Sequence, residues 1–336
     1  MGGEGQCTVP GGCKILLSPL KSSDKSNCTV SNEVCCGIND ISLSGPDETH
    51  AVTQKKGCGW RNGDDTRILS DNDSTSFAEF PWVVAVLTIQ NKDPDDPTSS
   101  KIFLYTCGGA LIHPRVVMTT AHHVYKSNLT LRIRAGEWDT SSTEEVIPYQ
   151  DRNVERVIIH EKFNTVRLNL HYDIALLVLS NPLNLAPNVN PICLPPPMES
   201  PARATRCISS GWGKNDFGKE GRYQVILKKV ELPVVDKAAC QRSLRQTRLG
   251  VFFKLHSSFM CAGGEPGRDT CKGDGGSPLV CPIPNQMGRY MASGIVAWGV
   301  GCGEAIPAVY VDVANMRSWI DDKVIGLGFT TAAYTF

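Results

Sequence analysis

From about residue 68 onward, short runs rich in apolar and β-branched residues recur between Gly, Pro, Asn and Asp turn signals. They cover 82–89, 129–135, 156–160, 174–179, 225–232, 291–298 and 308–313. Segments of this length and spacing predict strands, and so many of them predict an all-β sandwich or barrel. The pattern changes at 313–325, where Met316, Ile320 and Ile325 follow a roughly helical period with charges between them. That predicts a C-terminal helix packed on the β core. Arg242, Arg245 and Arg248 also have helical spacing after Cys240 and read as a solvated basic face. Upstream the chain is different in kind. Residues 1–38 hold Cys7, Cys13, Cys28, Cys35 and Cys36. A segment this short buries too little apolar area to fold alone, so disulfides must hold it. Residues 39–67 are polar and turn-rich and read as an exposed linker. The longest apolar stretch, 80–89, is too short to cross a bilayer.

Composition narrows the class. The 336 residues carry 34 Lys+Arg against 34 Asp+Glu, a formal net charge of zero. This balance gives no basis for nucleic acid or an anionic membrane as partner. Fourteen cysteines in a Gly- and Pro-rich chain point to disulfides in an oxidising compartment. Zinc is the competing use of cysteine, but the paired ligand spacing it needs is missing. The sequons at Asn27, Asn72 and Asn128 agree with secretion and glycosylation. The first residues, Met1-Gly2-Gly3-Glu4, do not read as a signal peptide. We therefore expect a secreted, extracellular protein read from a mature or engineered start.

The segment Cys271-Lys272-Gly273-Asp274-Gly275-Gly276-Ser277-Pro278-Leu279-Val280-Cys281 resembles the nucleophile segment of the chymotrypsin-like serine proteases. Phe80-Pro81-Trp82, Cys107-Gly108-Gly109-Ala110-Leu111-Ile112, Thr120-Ala121-His122, Asp173-Ile174-Ala175-Leu176 and Gly211-Trp212-Gly213 match other motifs of that family, in its order. The resemblance implies two six-stranded antiparallel β-barrels with an active site in the cleft between them. It also assigns roles in the Ser-His-Asp mechanism. His122 would be the base and Asp173 its orienting acid. Gly275 stands where the nucleophilic serine belongs, and a glycine cannot form an acyl-enzyme. Ser277 lies two residues downstream, and a displacement of even about 1 Å costs roughly a hundredfold. The chain therefore reads as an inactive homologue whose His122 and Asp173 persist as a hydrogen-bonded pair. The alternative is an active trypsin-like enzyme that uses Ser277.

The same resemblance implies further assignments. Asp269 would sit at the base of the substrate pocket, with Gly299 and Ala308 on its walls; Ala308 replaces a glycine and should narrow the slot. Arg67-Ile68 fits a trypsin-like activation cut, although Leu69-Ser70-Asp71 lacks the family's glycines. Family pairing implies Cys58–Cys193, Cys207–Cys281, Cys240–Cys261 and Cys271–Cys302. Cys107 is left over, because His123 occupies the place of its usual partner. The cluster Cys7-Thr8-Val9-Pro10, Cys13, Cys28 and Val34-Cys35-Cys36 resembles the clip domain of arthropod clip-domain serine proteases. It implies Cys7–Cys28 and Cys13–Cys36 and leaves Cys35 unpaired. One orphan in each part suggests a Cys35–Cys107 bridge. Glu137, Asp139, Glu144 and Glu145 lie in a loop where some family members bind calcium, although a plain solvated loop is the simpler reading. No cofactor is required.

Three regions follow: a clip domain over 1–38, a linker with the activation region over 39–67, and a protease-like domain over 68–336. The resemblance to insect prophenoloxidase-activating factors implies a non-catalytic haemolymph cofactor in melanisation. Its partners would be prophenoloxidase and an upstream clip-domain protease, with self-association after cleavage. An adhesion or decoy protein is a further alternative.

Overall fold

The computed structural model describes residues 5–8, 34–37, 56–63, 73–96, 98–126, 129–142, 145–164, 169–213, 223–267, 269–270, 274–301 and 305–336. Contacts divide the chain into two units, Met1–Thr53 and Gln54–Phe336. In the first unit, β1 (Gly5–Thr8) and β2 (Val34–Gly37) form a two-stranded antiparallel sheet whose register sets Cys7 opposite Cys35. The side chains of Cys7, Cys13, Cys28, Cys35 and Cys36 lie outside the described set, as do their expected pairings.

The second unit holds two closed six-stranded antiparallel barrels. The first contains β3 (Val83–Asn91), β4 (Lys101–His113), β5 (Val116–Thr119), β6 (Leu131–Ala135), β7 (Gln150–Ile159) and β8 (Ala175–Leu179). The second contains β9 (Arg206–Gly211), β10 (Lys228–Val235), β11 (Phe259–Gly263), β12 (Pro278–Pro282), β13 (Tyr290–Trp298) and β14 (Pro307–Asp312). Successive side chains in a strand face opposite ways, and here both faces are buried. In β3, Val84 and Val86 pack with Leu111, Val117, Ile133 and Leu177. Val83, Ala85 and Leu87 join a cluster that also takes Ile208, Val280, Ile295 and Val311 from the second barrel. That shared apolar cluster ties the barrels together at the cleft. At about 1.5–3 kcal/mol per buried large aliphatic side chain, it is a major source of the unit's stability.

Helix α2 (Lys237–Arg245) starts at Asp236, whose carboxylate accepts from the N–H groups of Ala238 and Ala239. The C-terminal helix α3 (Val313–Gly326) buries Val313, Met316, Ile320 and Val324 against the β core. Ile325, expected on that face, is exposed. Strand β5, Val-Val-Met-Thr, is too short to stand out as an apolar run, and β9 is disguised by its polar and small residues.

The expected linker also differs at its C-terminal end. Cys58 and Arg61 are buried. The Cys58–Cys193 disulfide fastens this stretch. Arg61 Nε donates to Glu79 Oε1 at 3.0 Å, and Lys229 Nζ donates to the same oxygen at 2.8 Å. The carboxylate of Glu79 is thereby shared by two cations, which makes its burial tolerable. The segment is thus part of the barrel unit, held there by charge pairing that its polar composition conceals. No helix among the described residues is long and apolar enough to cross a membrane.

Candidate functional site

The first barrel supplies the base and its acid. His122 lies on the short helix α1 (Ala121–Val124), directly after β5. Asp173 immediately precedes Ile174 and β8, which pairs with β5 through Thr119 and Ala175. Sheet pairing therefore sets the two side chains beside each other. Tyr172, just before the acid, adopts a φ of 54°, an unusual value for a bulky residue. Asp173 is fully buried. Its Oδ1 accepts the main-chain N–H of His122 at 2.8 Å, and its Oδ2 accepts Nδ1–H at 2.6 Å. One carboxylate thus fixes both the backbone and the ring of His122.

The second barrel supplies the turn that carries the nucleophile in an active relative. Ser277 N–H donates to Asp274 O at 2.9 Å and closes a turn over 274–277. Gly276 N–H donates to Val296 O at 2.9 Å, while Gly275 O accepts from Gly108 N–H at 2.9 Å. Gly276 has a φ of 83°, and a Cβ there would overlap Gly108 O and Thr119 Oγ1. Glycine is required at that position by both conformation and space. At Gly275 the backbone imposes no such demand. A side chain there would instead meet the imidazole of His123, overlapping Cε1 with Nε2 at 3.1 Å.

His123 is half-buried. Its Nδ1 shares a hydrogen bond of 2.7 Å with Thr120 Oγ1, and its ring centroid is 3.8 Å from that of His122. Burial, reinforced by the neighbouring His122, pushes its pKa down to about 3. The ring is neutral at physiological pH.

Ser277 is fully buried, and its hydroxyl has no hydrogen-bond partner among the described residues. The hydroxyl is wedged against Gly108, where a Cβ would overlap it, and near Gly211, where a Cβ would stand 3.1 Å away. It makes no hydrogen bond to His122, so the geometry gives the Ser277 alternative no base. Asp274 Oδ1 accepts Gly213 N–H at 2.9 Å, with its carboxylate packed against the Gly211–Gly213 backbone.

At the expected pocket, Asp269 Oδ1 accepts Thr270 N–H at 2.8 Å, and Thr270 Oγ1 meets the Tyr310 hydroxyl at 3.1 Å. Ala308 pairs with Ala262 and packs among the interior residues of the second barrel. Gly299 has room for a Cβ, the nearest atom being Gly301 O at 3.7 Å.

Cys107 is a buried free thiol, and its expected partner Cys35 lies outside the residues whose side chains are described. Its Sγ lies 3.5 Å from Thr119 Oγ1, and burial pushes its pKa up to about 12. Buried surroundings stabilise the neutral thiol. The acidic loop gathers no three metal-ligating side chains among the described residues. Glu145 Oε1 accepts the N–H groups of Trp138 and Asp139 at 2.8 and 2.9 Å, and Asp139 Oδ1 accepts Ser141 N–H at 2.9 Å. Glu137 is buried beside them, and desolvation with the charge of Glu145 pushes its pKa up to about 7. These carboxylates serve the loop's own backbone, and the described residues give calcium no support.

The Cys58–Cys193, Cys207–Cys281 and Cys240–Cys261 disulfides are formed. Arg67-Ile68, Asn27, Asn72, Asn128, Glu144 and the Cys271–Cys302 pair lie outside the described residues. Sequence reasoning noticed His123 as a missing cysteine but not as an occupant of the cleft. The signal was present: a bulky ring replaced half of a disulfide directly beside the base.

Comparison with known proteins supplies the setting. The Trypsin family model matches residues 70–320. Phenoloxidase-activating factor 2 of Galleria mellonella is 61% identical over 287 residues, covering 84% of this chain and 94% of that protein. An inactive CLIP domain-containing serine protease of Anopheles gambiae is 38% identical over 328 residues, covering 92% and 81%. Phenoloxidase-activating factor 3 of Holotrichia diomphalia is 32% identical over 352 residues, covering 95% and 93%.

Proposed function

The chain belongs to the trypsin family and, within it, to the clip-domain serine protease homologues; from that premise we propose that it is a non-catalytic cofactor of prophenoloxidase activation. The observation that carries this reading is Gly275 at the nucleophile's place inside an otherwise ordered site. Removing the nucleophile from an intact triad lowers kcat about a million-fold in a well-studied protease. The His122–Asp173 pair alone has no oxygen to activate at that position. The names of the relatives support a place in the same cascade.

The protein acts by binding. It is secreted into haemolymph, glycosylated at Asn27, Asn72 and Asn128, and cut at Arg67-Ile68 by an upstream clip-domain protease. The clip domain at 1–38 and the barrel unit then present surfaces to prophenoloxidase. Self-association after the cut would multiply weak contacts into useful avidity.

Reconstitution tests the reading. Purified prophenoloxidase and its activating protease are mixed with or without the cut protein, and phenoloxidase output is measured. A severalfold rise is expected, with no hydrolysis of a fluorogenic Arg peptide by the protein itself. Unchanged output would remove the cofactor role, and turnover of the peptide would remove the non-catalytic one.

A further inference from the structure

His123 joins three observations made separately above. It stands where the family resemblance implies the disulfide partner of Cys107, and Cys107 remains a free thiol. Its ring is held by Thr120 Oγ1 at 2.7 Å and lies against His122 at a centroid distance of 3.8 Å. Its remaining edge faces Gly275, with Cε1, Nε2 and Nδ1 all close to where a Cβ would project.

The backbone at Gly275 does not itself forbid a side chain, because its φ lies outside the left-handed region that marks Gly276. What stands in the way is the imidazole. Moving the ring aside would break the Thr120 hydrogen bond and disturb the contact with His122. We infer that His123 is a plug, seated in the volume that a nucleophile at position 275 would need. The site is closed twice, first by the lack of an oxygen and then by an occupant of its space. A serine returned to 275 alone would collide with the ring rather than meet His122.

The neutrality of the ring keeps the plug in place across physiological pH. A charged imidazole would be driven toward water, whereas the neutral one tolerates enclosure. This inference concerns how the site is closed, and its readouts do not involve phenoloxidase, so its failure is separable from failure of the cofactor role.

A double-mutant cycle in the full chain tests it, with unfolding in urea as the readout. Gly275→Ala should shift the folded-to-unfolded ratio by about tenfold or more, the usual penalty of inserting a methyl into filled space. In the His123→Ala background the same change should shift it by less than about twofold. Equal effects in the two backgrounds, or no effect in either, would overturn the plug. Should Gly275→Ala fail to accumulate, recovery of soluble protein on adding His123→Ala is the expected result, and no recovery overturns it. The unaltered protein offers an independent check with diethyl pyrocarbonate and peptide mass mapping. His123, with Nδ1 engaged by Thr120 and its far edge against Gly275, should be modified more slowly than His122. Equal modification of both rings would show that His123 is not seated.

Discussion

The two halves of the trypsin-like site differ in what else their side chains do. On the first barrel, Asp173 holds the main-chain N–H and the ring of His122 with bonds of 2.8 and 2.6 Å. On the second barrel, the turn 274–277 is held by backbone contacts that place no requirement on the identity of residue 275. The acid and base are structural members, whereas the nucleophile was only a reagent. When selection for chemistry is relaxed, a residue with a second, architectural task persists and one without it does not. The same contrast explains Gly276 and Gly275, adjacent glycines of which only the first is demanded by its backbone.

Asp173→Ala gives the strongest test of that contrast. It leaves two half-buried donors of His122 without an acceptor, and the expected loss of stability is about 3 kcal/mol, read as a lower urea midpoint. A loss below about 1 kcal/mol would mean that the pair is not architectural. Next comes Gly276→Ala, expected to cost about 2 kcal/mol from its positive φ and its overlap with Gly108 O. A neutral result there would erase the distinction between the two glycines.

The acid limb of the stability profile sharpens the picture of the closed cleft. The pKa of His123 falls from 6.5 to about 3 on folding, because burial disfavours the charged ring. As pH drops below about 6.5, the unfolded chain takes up a proton that the folded one refuses. Stability should therefore fall by up to about 1.4 kcal/mol per pH unit until the folded pKa is reached. His123→Ala should show a correspondingly shallower slope between about pH 6 and 4. Parallel slopes would contradict an enclosed neutral ring. The smallest effect is expected from Ser277→Ala. Removing a buried hydroxyl that lacks a partner should change stability by less than about 1 kcal/mol, and toward greater stability. Background activity toward an Arg peptide should be unaltered; a fall would revive Ser277 as a nucleophile.

The barrels were legible in the sequence because many of their strands are short apolar, β-branched runs and because several motifs appear in family order. Cys207–Cys281 and Cys240–Cys261 could be read from that order too. What stayed hidden depends on three-dimensional neighbours. Arg61 looks like a linker residue until Glu79 and Lys229 are placed beside it. Cys107 counts in the sequence only as an unassigned cysteine, whereas the structure encloses it as a thiol beside Thr119. The loop acids looked like cation ligands, but their oxygens face N–H groups of the same loop. Counting residue types finds candidates for partnership, while only packing says which partner was taken.

The fastened stretch ending near Gly63 sets a limit on what proteolysis can accomplish. Cys58, Arg61 and Asn62 are fixed on one side, and Thr75 on the other donates its N–H to Leu227 O at 3.0 Å. If the proposed cut falls after Arg67, the new ends are four residues beyond Gly63 and five before Asp73. Fully extended, such stubs reach only about 14 and 18 Å. Neither can travel far over the molecule, and the two products remain one particle. Cleavage would then leave both products on one particle, bridged through Cys58–Cys193, rather than release a fragment.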